Sequence, residues 1–137
     1  MSVRNWGPVR SCMREDVTEI DGRMDVLSAL KIMKEVKDTV LIVKRRDEND
    51  EYGMVLLSDI ACQVLARDRA PNRVNIYEIM TKPALTLSAD MNIKYAIRLL
   101  SRFELTRALV IGKDGLAGLV TLRDMVLNYK DSSEPET

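Results

Sequence analysis

The sequence predicts an α/β (α+β) fold made of two copies of a strand, helix, strand, strand, helix unit. Two observations lead to this prediction. An amphipathic helix followed by a short apolar strand begins at Val26 and again at Ile93, 67 residues later. A polar turn and a second apolar segment follow each time. Repetition at a fixed spacing is the signature of a duplicated structural unit.

The first helix of each copy is predicted from apolar residues spaced three and four positions apart. A polar segment precedes it in both copies, Asp21-Gly22 in the first and Ser88-Ala89-Asp90 in the second, as is usual before a helix start. The apolar positions are Val26, Leu30 and Met33 in the first copy and Ile93, Ile97 and Leu100 in the second.

Each helix leads into an apolar, partly β-branched run, VLIV at 40–43 and ALVI at 108–111, which predicts a buried strand. A polar turn follows at 44–51 and at 112–115, and apolar residues return after Gly53 and Gly118. Each copy therefore contains a predicted β-hairpin.

A second amphipathic helix is predicted after each hairpin, from apolar positions that start at Leu57 and at Leu122. The predicted organisation is a first repeat over 10–68 and a second over 77–131. A polar linker containing Pro71 joins them. Residues 1–9 form a predicted N-terminal arm, and the polar residues 132–137 form a predicted disordered tail.

Composition excludes several classes of function. The 21 basic and 21 acidic residues balance, so there is no basic field for nucleic acid or an anionic membrane. No apolar run is long enough to span a bilayer, and we expect a cytoplasmic protein. Without histidine, and with Cys12 and Cys62 fifty positions apart, zinc spacings and histidine-based catalysis are absent. We expect no metal, no required cofactor and no enzyme activity.

Several motifs then occur in a fixed order. The second copy contains YEIMTKPALTL at 77–87, RALVI at 107–111 and GLVTLRD at 118–124, and the first contains CMREDV at 12–17 and GMVLLSD at 53–59. Over residues 10–131 the chain resembles a tandem pair of cystathionine-β-synthase (CBS) domains, or Bateman module, of the stand-alone type.

The resemblance implies two β-α-β-β-α repeats packed about a pseudo-two-fold axis, in a homodimer. It implies a cleft between the repeats that binds an adenosyl small molecule: AMP, ADP, ATP, S-adenosylmethionine or NAD. It also implies a regulatory, signal-transduction role, in which ligand binding alters an unknown regulated protein.

The resemblance places Thr121 and Asp124 at the phosphate and ribose of the ligand. An ionised carboxylate only accepts hydrogen bonds, and the two ribose hydroxyls supply donors. The alternative interpretation is a capping box, because Thr-x-x-Asp at a helix start satisfies the helix without any ligand. Both interpretations are compatible, since a capped helix end can still face a phosphate.

Five further positions are weaker ligand candidates. The extended segments 17–19 and 84–86 match the family stretch beside the adenine, which adds Thr18, Ala84 and Thr86. Arg107 and Arg123 are candidates for the phosphate. The alternatives are ordinary strand threonines and solvated surface arginines.

The first copy departs from the family pattern. Asp59 keeps the ribose position, but Leu56 replaces the threonine and Ser58 lies two residues away from it. We therefore predict unequal sites, with the better one at Thr121 and Asp124.

The leading functional hypothesis is a sensor of adenosine-containing nucleotides that performs no reaction. The first alternative is a structural dimerisation scaffold that has lost ligand binding. A small enzyme using a carboxylate or Cys62 is the second, although no convergent nucleophile and base are evident.

Overall fold

The computed structural model describes residues 6–129. It divides into two compact units, one formed by residues 17–84 and one formed by 6–16 together with 85–129. These are termed the 17–84 unit and the 85–129 unit. Each contains a three-stranded sheet and two α-helices. The predicted α/β class and the order strand, helix, strand, strand, helix are confirmed in both units.

The 17–84 unit is built on a sheet in which β1 runs parallel to β2 and β2 runs antiparallel to β3. Short 3₁₀ turns at Leu65–Arg67, Pro71–Arg73 and Ile76–Glu78 complete the unit. Its regular elements are β1 (Glu19–Ile20), α1 (Val26–Val36), β2 (Val40–Val43), β3 (Gly53–Leu56) and α2 (Leu57–Gln63).

The core of this unit lies between one face of the sheet and the two helices. Alternate strand residues Leu41, Val43 and Val55 pack there against apolar side chains of α1 and α2, because successive strand residues point to opposite faces. Asp25 caps α1, accepting a hydrogen bond of 3.0 Å from the Ser28 N–H. The helix therefore begins at Val26, as its apolar spacing predicts.

The 85–129 unit repeats this arrangement. Its elements are β4 (Thr86–Ser88), α3 (Ile93–Arg102), β5 (Arg107–Gly112), β6 (Gly115–Thr121) and α4 (Leu122–Leu127). Here β4 is parallel to β5, and β5 is antiparallel to β6. Leu87, Ala108, Val110 and Val120 pack on α3 and α4, so these helices cover one face of the sheet.

Residues 6–16 belong to this second sheet rather than to the first. Arg14 and Leu119 exchange two backbone hydrogen bonds of 2.7 and 2.9 Å, and the Trp6 and Tyr129 rings lie 4.8 Å apart. The sequence repeats 10–68 and 77–131 thus differ from the compact units, which assign residues 10–16 to the second sheet and 77–84 to the first. Residues 1–5 of the predicted arm and the predicted tail lie outside the described residues.

The helices within the described range are short. None of them is long and apolar enough to cross a membrane.

A partly buried carboxylate connects the β2–β3 turn to the segment before β4. Asp50, whose side chain is 9% exposed, accepts hydrogen bonds from Lys82 Nζ at 2.8 Å and from Arg46 Nε at 3.1 Å. These bonds hold the pKa of Asp50 well below its usual range. Residues 44–49 of this polar turn are exposed, whereas Asp50 has a structural partner 32 residues away.

This ion pair predicts a specific acid sensitivity. A lowered pKa in the folded state gives stability that is present above the unfolded value, about 3.9, and lost as the pH falls through the folded value. We therefore expect Asp50→Asn to be less stable than the wild type at pH 7, with the difference shrinking below about pH 4. Urea unfolding at each pH measures it, with Glu35→Gln on α1 as the control. A difference between Asp50→Asn and wild type that stays constant down to pH 2 would contradict the assignment.

Candidate functional site

The strand directions bring several predicted residues to one edge of the β4-β5-β6 sheet. The parallel strands β4 and β5 begin at this edge with Thr86 and Arg107, and the antiparallel β6 ends there with Thr121. Arg107 and Thr121 are direct cross-strand partners. Helix α4 starts immediately after Thr121, which adds Arg123 and Asp124 to the same edge.

Three of these side chains also share one face of the sheet. Thr86 on β4 is the cross-strand partner of Leu109 on β5. Arg107 lies two residues before Leu109 on β5 and is the cross-strand partner of Thr121 on β6. Neighbouring strand residues at one level point to the same side. Ala108, Val110 and Val120 point to the helices, so Thr86, Arg107 and Thr121 lie on the face away from α3 and α4.

The Thr121 hydroxyl caps helix α4. It accepts a hydrogen bond of 3.1 Å from the backbone N–H of Asp124, which is half of the predicted capping box. The return bond is missing, because the Asp124 carboxylate accepts no side-chain or backbone hydrogen bond within residues 6–129. The cap interpretation therefore accounts for Thr121 and leaves the half-buried carboxylate of Asp124 available to a donor from outside.

Arg107 supplies an unsatisfied donor beside this cap. Its Nε is buried and has no hydrogen-bond partner in the described part of the chain. An unsatisfied buried donor costs about 1–3 kcal/mol, which a bound acceptor would recover. Arg123, by contrast, is exposed, as expected for a solvated surface arginine.

Cys12 is a neighbour of this edge that the sequence did not single out. Burial raises the pKa of its thiol, and the negative charge of Asp124 raises that pKa further. The thiol is therefore protonated near neutral pH, as expected for an ordinary reduced cysteine.

The pairing registers identify the equivalent positions in the 17–84 unit. Val40 pairs with Leu56 as Arg107 pairs with Thr121. Glu19 is level with Ile42 as Thr86 is with Leu109. The first unit therefore has a carboxylate, a valine and a leucine where the second has Thr86, Arg107 and Thr121. Comparing the two sequence repeats identifies Leu56, but it does not identify Glu19 or Val40 as the counterparts of Thr86 and Arg107.

Asp59 is the remaining shared position, and its carboxylate has a different role from that of Asp124. It accepts a hydrogen bond of 2.9 Å from the backbone N–H of Leu56. Leu56 has no side-chain acceptor with which to cap α2, so the carboxylate three residues on stabilises the helix start instead. Asp59 is thus engaged within its own unit.

The other two candidates, Thr18 and Ala84, make backbone hydrogen bonds within the 17–84 unit. The Thr18 carbonyl accepts a 2.9 Å hydrogen bond from the Ile42 N–H, and the Ala84 N–H donates to the Tyr52 carbonyl at 2.8 Å. Both residues belong to the 17–84 unit, and their backbones are engaged there.

Comparison with known proteins gives a consistent result. A family profile described as CBS domain matches residues 76–131. An uncharacterised protein of Methanopyrus kandleri is 26% identical over 114 residues, which is 82% of this chain and 57% of that protein. The chain thus spans little more than half of that relative's length.

Solved structures extend the similarity over nearly the whole chain. The hexameric CBS-CP12 protein from bloom-forming cyanobacteria is 34% identical, with a TM-score of 0.81 over 87% of this chain and 69% of that one. The CBS domain of a bacterial CNNM/CorC family Mg²⁺ transporter, solved in complex with ATP, is 23% identical with a TM-score of 0.75, over 90% of this chain and 87% of that one. The second likeness concerns the fold alone. The chain belongs to the CBS-domain family, as a tandem pair of CBS domains.

Proposed function

We propose that the protein is a regulatory module that binds an adenosine-containing nucleotide at the Thr121 edge of the 85–129 unit and performs no catalysis. The observation that supports this proposal is that Thr121 and Asp124 have different roles at the start of α4. Thr121 caps the helix, which leaves the Asp124 carboxylate free to accept hydrogen bonds from the two ribose hydroxyls.

Three further features support the same ligand class. Arg107 adds a positive charge and an unsatisfied Nε donor, which suit a phosphate. Thr86 lies on the same sheet face and is exposed, so its hydroxyl is accessible. The ATP complex of the transporter CBS domain shows that this fold accommodates such a ligand in another protein.

Binding of this kind regulates by shifting populations. A ligand changes an equilibrium between two arrangements only to the extent that it binds one of them more tightly. With no catalytic step in the proposal, the signal passes to a regulated partner or to self-association.

Titration calorimetry with AMP, ADP, ATP, NAD and S-adenosylmethionine tests the proposal. We expect saturable one-site binding of at least one of them by each 85–129 unit. Absence of binding by all five to a folded sample would contradict it and favour the scaffold function below.

A dimerisation scaffold is the second candidate, and exposed apolar side chains on α2 and α4 favour it. Leu57 is 43% exposed, Val126 55% and Leu127 70%. Apolar side chains left in water on a helix face are typical of a contact surface. Sedimentation velocity on the wild type and on Val126→Ser/Leu127→Ser measures this directly, since a homodimer formed through α4 would dissociate in the variant.

A further inference from the structure

A cavity of about 730 Å³ opens in the 17–84 unit, at the sheet edge opposite Leu56 and Asp59. Its walls come from the residues that follow β1 and β2 and from the segment after the 3₁₀ turn Ile76–Glu78. A volume of this size is within the range of small-molecule sites, about 300–1,000 Å³. The lining residues are Asp21, Gly22, Arg23, Val43, Lys44, Arg45, Arg46, Tyr77, Met80 and Lys82.

The cavity is strongly basic although the whole chain is neutral. Five lining side chains are cationic. Three carboxylates oppose them: Asp21 pairs with Arg23 at 2.9 Å, Asp50 pairs with Arg46 and Lys82, and the charge of Asp47 acts on Arg46. Five positive and three negative charges leave two positive charges around one concave surface, where a low-dielectric wall concentrates the field.

Several of these cations are held in place. Partly buried Asp50 accepts hydrogen bonds from Lys82 and Arg46, and the Arg45 guanidinium lies 4.9 Å from the centroid of the Tyr52 ring. Neither Lys44 nor Arg45 forms an ion pair or a side-chain hydrogen bond with a carboxylate among the described residues, although the charge of Lys44 acts on Asp21. Preorganised cations lose less entropy when they bind an anion.

The rest of the wall is apolar. Val43, Met80 and Tyr77 contribute it, and Gly22 lies beside them. A Cβ at Gly22 would lie 3.2 Å from Val43 Cγ1 and 3.7 Å from Tyr77 Cβ. An apolar wall beside a cationic rim suits a ligand with a carbon skeleton and an anionic group.

The equivalent position in the 85–129 unit lacks this charge. The cavity there is smaller, about 450 Å³, and its charged lining residues are Asp90 and Lys113. The positive charge is therefore a property of the first unit and not of the repeat.

We infer that this cavity is a second ligand site, which binds a small phosphorylated molecule carrying at least two negative charges. Lys44 and Arg45 contact the phosphate oxygens, since neither is held in an ion pair within the described residues, and Tyr77 and Met80 contact the apolar part. The residues of this site belong to the 17–84 unit, whereas those of the proposed nucleotide site belong to the 85–129 unit.

Titration calorimetry with inorganic tripolyphosphate tests the inference at low salt. We expect saturable binding to the wild type and a loss of affinity of about tenfold or more in Lys44→Gln/Arg45→Gln, since each removes charge-assisted hydrogen bonds. The control is Lys31→Gln/Lys34→Gln on α1, which changes the net charge equally and should bind within about twofold of wild type.

The variant Arg107→Gln separates this site from the nucleotide site, because Arg107 is the cation proposed for the phosphate there. We expect it to bind tripolyphosphate like the wild type. Equal losses in the two charge variants, loss in Arg107→Gln, or no saturable binding to the wild type would each overturn the inference. The four cations substituted in the two charge variants are exposed, so circular dichroism should show that those variants are folded.

Discussion

Asp124→Ala is expected to weaken adenosyl-nucleotide binding by about ten- to a hundredfold, because it removes charge-assisted hydrogen bonds that contribute about 1.5–3 kcal/mol. The stability of the protein should change little. Thr121, not the Asp124 carboxylate, caps α4, and that cap remains in the variant. Calorimetric titration with the tightest of the five adenosyl ligands measures the loss.

Asp59→Ala is the matched control and should show the opposite behaviour. The Asp59 carboxylate accepts from Leu56 N–H, so its loss should cost about 1 kcal/mol of unfolding free energy. Nucleotide affinity should stay within about twofold. If both variants lost affinity equally, the predicted inequality of the two sites would be wrong.

Gly118→Ala is expected to destabilise the protein by about 3 kcal/mol. A Cβ at this position would overlap the carbonyl oxygen of Arg14 and would lie 3.1 Å from its carbonyl carbon. That carbonyl is hydrogen-bonded to Leu119. Backbone atoms cannot rotate aside, so the added methyl must displace residues 6–16 or distort β6.

Gly53→Ala provides the comparison at the equivalent position of the first hairpin. Its added Cβ would lie 3.0 Å from the sulfur of Met80, 3.2 Å from Val43 Cβ and 3.3 Å from the Thr81 carbonyl oxygen. The methionine side chain can move, and the other two contacts are tight without overlapping as the Arg14 oxygen does at Gly118. We expect a cost of about 1 kcal/mol there. Urea unfolding measures both variants, and equal costs would contradict the explanation.

Trp6 gives an independent readout of the displaced segment. It is the only tryptophan in the chain and packs against Tyr129. In Gly118→Ala its emission should shift to the red, whereas in Gly53→Ala it should not.

The local structure was predictable because its signals are local. The apolar run 40–43 coincides with strand β2, and the helices begin at Val26 and Ile93 as the repeat spacing indicates. Hydrophobic periodicity and β-branching act over a few residues, so one copy of the pattern predicts the other.

The pairing of residues 6–16 with the second sheet was not predictable in this way. The Arg14–Leu119 bridge joins backbone atoms, and backbone hydrogen bonds leave no mark on side-chain type. Gly118 carries the one available signal, since a glycine inside an apolar strand indicates close approach of another backbone.

The asymmetry of the sites was predictable only in part. Leu56 in place of threonine was visible in the sequence. The hydrogen bond that the Asp59 carboxylate accepts from the Leu56 N–H was not, because it forms only where Leu56 has no side-chain acceptor to cap α2. Glu19 and Val40 became equivalent to Thr86 and Arg107 only through strand register. The basic cavity depends on the approach of Lys82 to Asp50, which no spacing rule predicts.

Amide chemical-shift mapping of the ¹⁵N-labelled protein with ATP tests the central claim most directly. The largest changes are expected at Thr86, at Arg107 and from Thr121 to Asp124, and they should saturate with ATP concentration. A folded protein without changes at these amides, or with saturable changes confined to residues 17–84, would contradict a nucleotide site at the Thr121 edge.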